Sequence, residues 1–78
     1  MIIKIKTKEI REKKGISIKR LEEDTGIERH RISKIENNKI PVDKISLVEM
    51  ILISYGLGIS ILDTYEVTHI EIKGIGEF

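Results

Sequence analysis

The stretch from Ser17 to Asn37, SIKRLEEDTGIERHRISKIEN, decides the fold. Ser17 is a favoured helix N-cap, and Ile16 before it pairs with Leu21 as a hydrophobic staple. That helix runs to about Thr25 and stops at Gly26, where a left-handed residue closes a helix. The staple spacing repeats with Ile27 and Ile32 around Glu28, which opens a second helix through about Glu36. Glu is a poorer cap than Ser, although its charge suits the positive end of a helix. Asn37-Asn38 ends it, because Asn tolerates left-handed backbone. Two helices of two turns each are not stable alone. They must cross steeply on a third element, with Leu21, Ile27, Ile32 and Ile35 filling the angle between them. Arg29, His30 and Ser33 then share one exposed side of the second helix, with Lys34 adjacent and Arg31 outside the angle as well.

Outward from this unit the chain is marked by caps and glycines. Residues 2–6 alternate as a short strand would. Thr7 is placed to cap a helix to Lys14, with Gly15 beyond its end. After Pro41 the spacing predicts a fourth helix from Asp43, with Val42 and Leu47 as its staple. Ile45, Val48, Leu52 and Tyr55 give it a stripe, widened by Met50, Ile51 and Ile53. Such a helix is apolar over most of its circumference and belongs in the core or in an interface. Gly56 and Gly58 are read as its end, and Ser60 with Asp63 as the capping box of a last short turn. Residues 65–72 carry β-formers and read as a strand. Its partner is either residues 2–6 of the same chain or the same strand of a second chain, since an isolated strand is unstable. Residues 74–78 read as a loose tail.

Seventy-eight residues make one small domain. There is no Cys, Phe occurs once and Trp not at all, so the core must be aliphatic and thiolate metal sites and disulfides are excluded. The net charge of +1 hides a polarity. Residues 1–44 hold thirteen Lys/Arg against eight Asp/Glu, and residues 45–78 one Lys against five Asp/Glu. A basic half of this kind suits a polyanion. No apolar run spans a membrane, and Met-Ile-Ile-Lys-Ile-Lys lacks a secretory leader's centre, so a cytoplasmic protein without membrane contact is expected. His69 has no Cys or His companion and reads as an ordinary strand residue. Glu22-Glu23-Asp24 reads as a solvated helix face. No phosphate-cradling loop or nucleophile–base pair is present in the pattern, so neither an enzyme, a metal nor a cofactor is expected.

Ile10-Arg11-Glu12-Lys13-Lys14-Gly15-Ile16-Ser17, then Leu21, Gly26-Ile27, Ile32-Ser33-Lys34-Ile35-Glu36-Asn37 and Pro41 resemble the lambda-type helix-turn-helix domains. These are the Cro and phage-repressor proteins of the xenobiotic-response-element family. The resemblance covers roughly residues 5–64. It implies a mainly α, five-helix lambda-repressor-like DNA-binding domain over residues 1–64. Residues 65–78 then form a C-terminal strand and tail, part of the same domain or a dimer contact. It also implies roles: Arg29, His30 and Lys34, with Ser33 beside them, face bases, while Asn37, Lys39 and the Ser17 cap face phosphates, with Lys19 added as a phosphate contact. Arg11 and Glu36 correspond to a structural ion pair. Two departures stand out. Ile18 replaces a phosphate-bonding Gln, and Glu22 replaces an Ala where the two helices touch, which predicts looser packing there.

The function implied is a sequence-specific regulator, repressor-like and dimeric, binding double-stranded DNA at an inverted repeat. A second reading is a protein-interaction module of the same fold, such as an antitoxin or anti-repressor. Ile18, the acidic second half and an apolar terminal strand favour it.

Overall fold

The computed structural model describes residues 2–68. The chain runs through strand β1 (Ile2–Ile5), helices α1 (Thr7–Lys13), α2 (Ile18–Thr25) and α3 (Arg29–Glu36), a 3-10 turn (Val42–Lys44), α4 (Leu47–Leu57), a second 3-10 turn (Ile61–Asp63) and strand β2 (Tyr65–Thr68). It is mainly α. Among the described residues there are four α-helices, and residues 61–63 make only a 3-10 turn. The second half of the strand expected over 65–72, His69 and the tail at 74–78 lie outside the described residues. No described helix is long and apolar enough to cross a membrane.

The two strands pair with each other, antiparallel, with Ile3 opposite Val67 and Ile5 opposite Tyr65. The ladder continues past the strand ends, as Lys6 N–H donates to the Thr64 carbonyl at 2.8 Å. That bond draws Lys6 into the N-cap position of α1, where it makes no side-chain cap. Thr7, expected as the cap, is instead the first helical residue and is buried. Antiparallel ladders alternate inward and outward backbone groups. The outward groups of Ile5 are occupied by Asn38, whose Oδ1 accepts from Ile5 N–H at 3.0 Å and whose Nδ2 donates to the Ile5 carbonyl at 3.4 Å. Asn38 holds φ +56°, the left-handed backbone that Asn tolerates, and so turns its side chain onto the strand edge.

Ile5, Leu21, Ile32, Ile35, Ile53 and Leu57 form the buried core. Gly26 ends α2 with φ +75°, and Thr25 stitches the turn that follows. Its hydroxyl donates to the Leu21 carbonyl at 2.6 Å and accepts from Ile27 N–H at 3.1 Å.

Helix α4 departs from the expectation in three ways. It starts at Leu47 behind Ser46, because Ser46 and Glu49 form a reciprocal capping box, while residues 42–44 close a separate 3-10 turn. Its buried face is Ile53, Ser54 and Leu57, so Val48 and Tyr55 of the expected stripe stand 64% and 78% exposed. Gly56 lies inside the helix, and Gly58, at φ +68°, closes it. The last two departures share a cause, the close approach of α2. A Cβ on Gly56 would sit 2.6 Å from Leu21 Cδ1 and 3.2 Å from Thr25 Cγ2. On a helix apolar nearly all round, hydrophobicity cannot select the inward face; the small residues do. The last turn is capped by Ser60, whose Oγ accepts from Leu62 N–H at 3.2 Å rather than from Asp63.

Glu49 also binds Arg31 of α3 at both oxygens, 2.7 and 2.9 Å, and Arg31 reaches on to the Lys44 carbonyl at 2.8 Å. The Arg31 guanidinium, with help from the Ser46 amide, lowers the Glu49 carboxyl to a pKa of about 2 from the ordinary 4.5. A carboxylate whose folded pKa is depressed stabilises the fold above the ordinary value and loses that contribution as pH falls towards the folded one. Because Arg31 remains partly in water, solvent screening reduces that contribution. Urea unfolding as a function of pH is therefore expected to lose stability between about pH 5 and pH 2. Glu49→Gln should flatten that dependence; an unchanged acid limb in Glu49→Gln would remove Glu49 from this role.

Candidate nucleic-acid interface

Helix α3 divides sharply by exposure. At about 100° per residue, Ile32, Ile35 and Glu36 fall together on the side turned to the core and are buried. Arg29, His30, Lys34 and the following Asn37 fall on the other side and are exposed, with Ser33 half-buried among them. The turn after α2 holds this face outward, and it carries positive charge at both ends.

The buried side is anchored through Arg11. Its Nε and Nη2 donate to the two Glu36 oxygens at 3.0 Å each, and Nη1 donates to the Ile16 carbonyl at 2.9 Å. The Glu36 side chain is 1% exposed. The carboxylate in turn raises the Arg11 pKa above its ordinary value. One guanidinium thus joins α1, the loop before α2 and the end of α3. Arg31, on the flank between the two sides, is committed to Glu49 and faces α4 rather than the open surface.

The N-terminus of α3 is closed from outside the helix. Glu28, its N-cap residue, makes no side-chain cap. Its carboxylate meets His30 Nδ1 at 2.6 Å, and that contact holds it below the usual carboxylate range. The cap comes from Glu22 of α2, whose Oε2 accepts from Arg29 N–H at 2.7 Å while Oε1 accepts from Arg29 Nη2 at 3.2 Å. Glu22, at the position where α2 and α3 meet, thus ties the two helices through Arg29. No spacing rule links a carboxylate to an amide seven residues on across a turn, so this contact had no sequence signal.

At the other end of α3, Asn37 Nδ2 donates to the Ser33 carbonyl at 2.8 Å, and Asn37 Oδ1 accepts from Lys8 Nζ at 3.2 Å. Lys8, which the pattern did not single out, thereby joins Lys34, Asn37 and Lys39 at this end; Lys34 and Lys39 are both exposed. Lys39 N–H bonds the Lys34 carbonyl at 2.9 Å, which keeps those two residues adjacent. Ser17 caps α2 by accepting from Arg20 N–H at 3.0 Å and remains exposed, as does Lys19. Arg11 and Glu36 are not part of this surface.

The profile of the helix-turn-helix domain matches residues 5–68, which includes every element from the end of β1 to β2. The chain belongs to the helix-turn-helix domain family. No curated protein matches the chain.

Proposed function

We propose that this protein is a sequence-specific DNA-binding regulator of the repressor type, with α3 lying in the major groove. The observation that carries the reading is the basic outer face of α3, which is held away from the core by a two-helix unit of the helix-turn-helix family. In this reading Arg29, His30, Ser33 and Lys34 meet base edges; Arg and Lys suit the O6 and N7 acceptors of guanine. Ser17, Lys19, Asn37 and Lys39 meet phosphates, and Lys8, beside Asn37, extends that line.

The reading includes a homodimer on an inverted repeat with half-sites about one helical turn apart. Leu47, Val48, Ile51 and Tyr55 make an exposed apolar strip along α4, the kind of surface a second copy would cover. Beside it lies a groove of about 570 Å³ lined by Ile3, Ile5, Val42, Ile45, Met50 and Tyr65, among others. The same groove favours the second reading, a module whose main partner is another protein.

Selection from a pool of randomised duplexes tests the proposal. Enrichment of an inverted repeat, with binding that weakens steeply as salt rises, is the expected result. Lys34→Ala should then cost about 1–3 kcal/mol on the enriched duplex and much less on a scrambled one. Lys39→Ala should weaken both alike and lower the salt slope by about 1. Retention of no preferred duplex would transfer the function to the apolar groove and a protein partner.

A further inference from the structure

The cap on α3 is made by a single carboxylate that holds both ends of Arg29. Glu22 takes the Arg29 backbone N–H at 2.7 Å with one oxygen and the Arg29 guanidinium at 3.2 Å with the other. The two side chains are 27% and 53% exposed. An exposed ion pair ordinarily organises little, because two long side chains must both be held in place. Here Glu22 is already pinned by the backbone at the positive pole of α3, so only the arginine remains to be ordered. The carboxylate also places a fixed negative charge at the edge of the exposed basic face.

We propose that Glu22 is a positioning residue for Arg29 and that it sharpens discrimination between DNA sequences. The proposal rests on the reading of α3 as the helix that meets the bases. Glu22 acts in two ways. It holds the Arg29 side chain near one geometry before contact, so a base that matches that geometry is bound without first ordering a flexible chain. Its charge also repels phosphates, which weakens every docking that does not gain the Arg29 base contact. Both effects raise the ratio of specific to non-specific affinity.

The test compares the wild-type chain with Glu22→Gln, Arg29→Ala and the double variant. Each is titrated at one fixed salt concentration on the duplex enriched from the random pool and on its scrambled counterpart. Gln keeps an oxygen for the Arg29 amide, so the cap survives, and a melting curve of each variant checks it. Glu22→Gln is expected to bind the scrambled duplex several-fold more tightly and to lower the specificity ratio on the order of tenfold, the lower end of one good base contact. In the Arg29→Ala background the same change should leave the ratio where it is. Without DNA, the NMR signals of the Arg29 guanidinium should report hindered rotation in the wild-type chain and free rotation in Glu22→Gln.

A gain on the enriched duplex that exceeds the gain on the scrambled one would mean that Glu22 sequesters Arg29, and would overturn the proposal. So would an equal fall in the ratio with Arg29 absent, or a freely rotating guanidinium in the wild-type chain. A wild-type chain that prefers no duplex overturns the DNA reading itself and this proposal with it. The guanidinium signals then separate that failure from a failure of the Glu22–Arg29 pairing.

Discussion

Arg11→Ala is expected to destabilise the protein by about 3–5 kcal/mol, the usual cost of leaving one partner of a buried pair alone. Its three hydrogen bonds end on a carboxylate that is 1% exposed and on the Ile16 carbonyl. Without the guanidinium, Glu36 loses its partner inside the fold, where an unpaired carboxyl group is costly. A domain of this length has a total stability of only roughly 4–12 kcal/mol, so the loss is a large share of it. The pair is not expected to be a large net source of stability, because both charges were taken from water to form it. The double variant Arg11→Met with Glu36→Leu should therefore recover most of the loss in urea unfolding. What it gives up is the directed tie between α1, the loop and α3, so its affinity for the enriched duplex should stay below that of the wild-type chain. A loss under about 1 kcal/mol for Arg11→Ala would mean that the pair is solvated and weak, as exposed pairs are.

Gly56→Ala is expected to destabilise the chain, although Ala is the better helix former by about 1 kcal/mol. The added methyl meets Leu21 Cδ1 at 2.6 Å and Thr25 Cγ2 at 3.2 Å, and Leu21 has no exposed surface. Overpacking of a close contact costs about 1–3 kcal/mol, which outweighs the propensity gain. Leu21→Ala alone should cost about 3–5 kcal/mol as a core truncation. The two positions are coupled, so the sign of the Gly56 change depends on Leu21. In a Leu21→Val background, which removes Cδ1 at a cost of about 1 kcal/mol, Gly56→Ala should become neutral or stabilising. Urea midpoints of the four chains measure that coupling directly. A stabilising Gly56→Ala in the wild-type background would mean that α2 and α4 are further apart than described.

The middle of the fold was legible because its signals are local. Ser17 capping α2, Gly26 closing it and the burial of Leu21, Ile32 and Ile35 each follow from neighbours within about five residues. The exposed side of α3 followed from the same periodicity. Helix α4 departs from its apolar spacing for two reasons. The Ser46-x-x-Glu49 capping box was present in the sequence and outranked the Val42 and Leu47 spacing used to start the helix. The inward face, by contrast, had no sequence signal, since apolar residues surround the helix on all sides. The tie of Arg31 to Glu49 has no local signal, because the two residues lie eighteen positions apart.

The sequence by itself determined where helices start and stop around residues 17–37, which side chains of α3 fill the angle and which stay outside. Those choices depend on backbone capping and on periodicity, both carried by adjacent residues. Only the tertiary structure decided which face of α4 is buried, that β1 and β2 pair within one chain, and that Asn38 occupies the edge of β1. It also decided that Glu22 caps α3 and holds Arg29. Each of these depends on how closely two distant elements approach. That distance is set by the bulk of residues such as Gly56 and Leu21 in three dimensions, and it leaves no period in the chain.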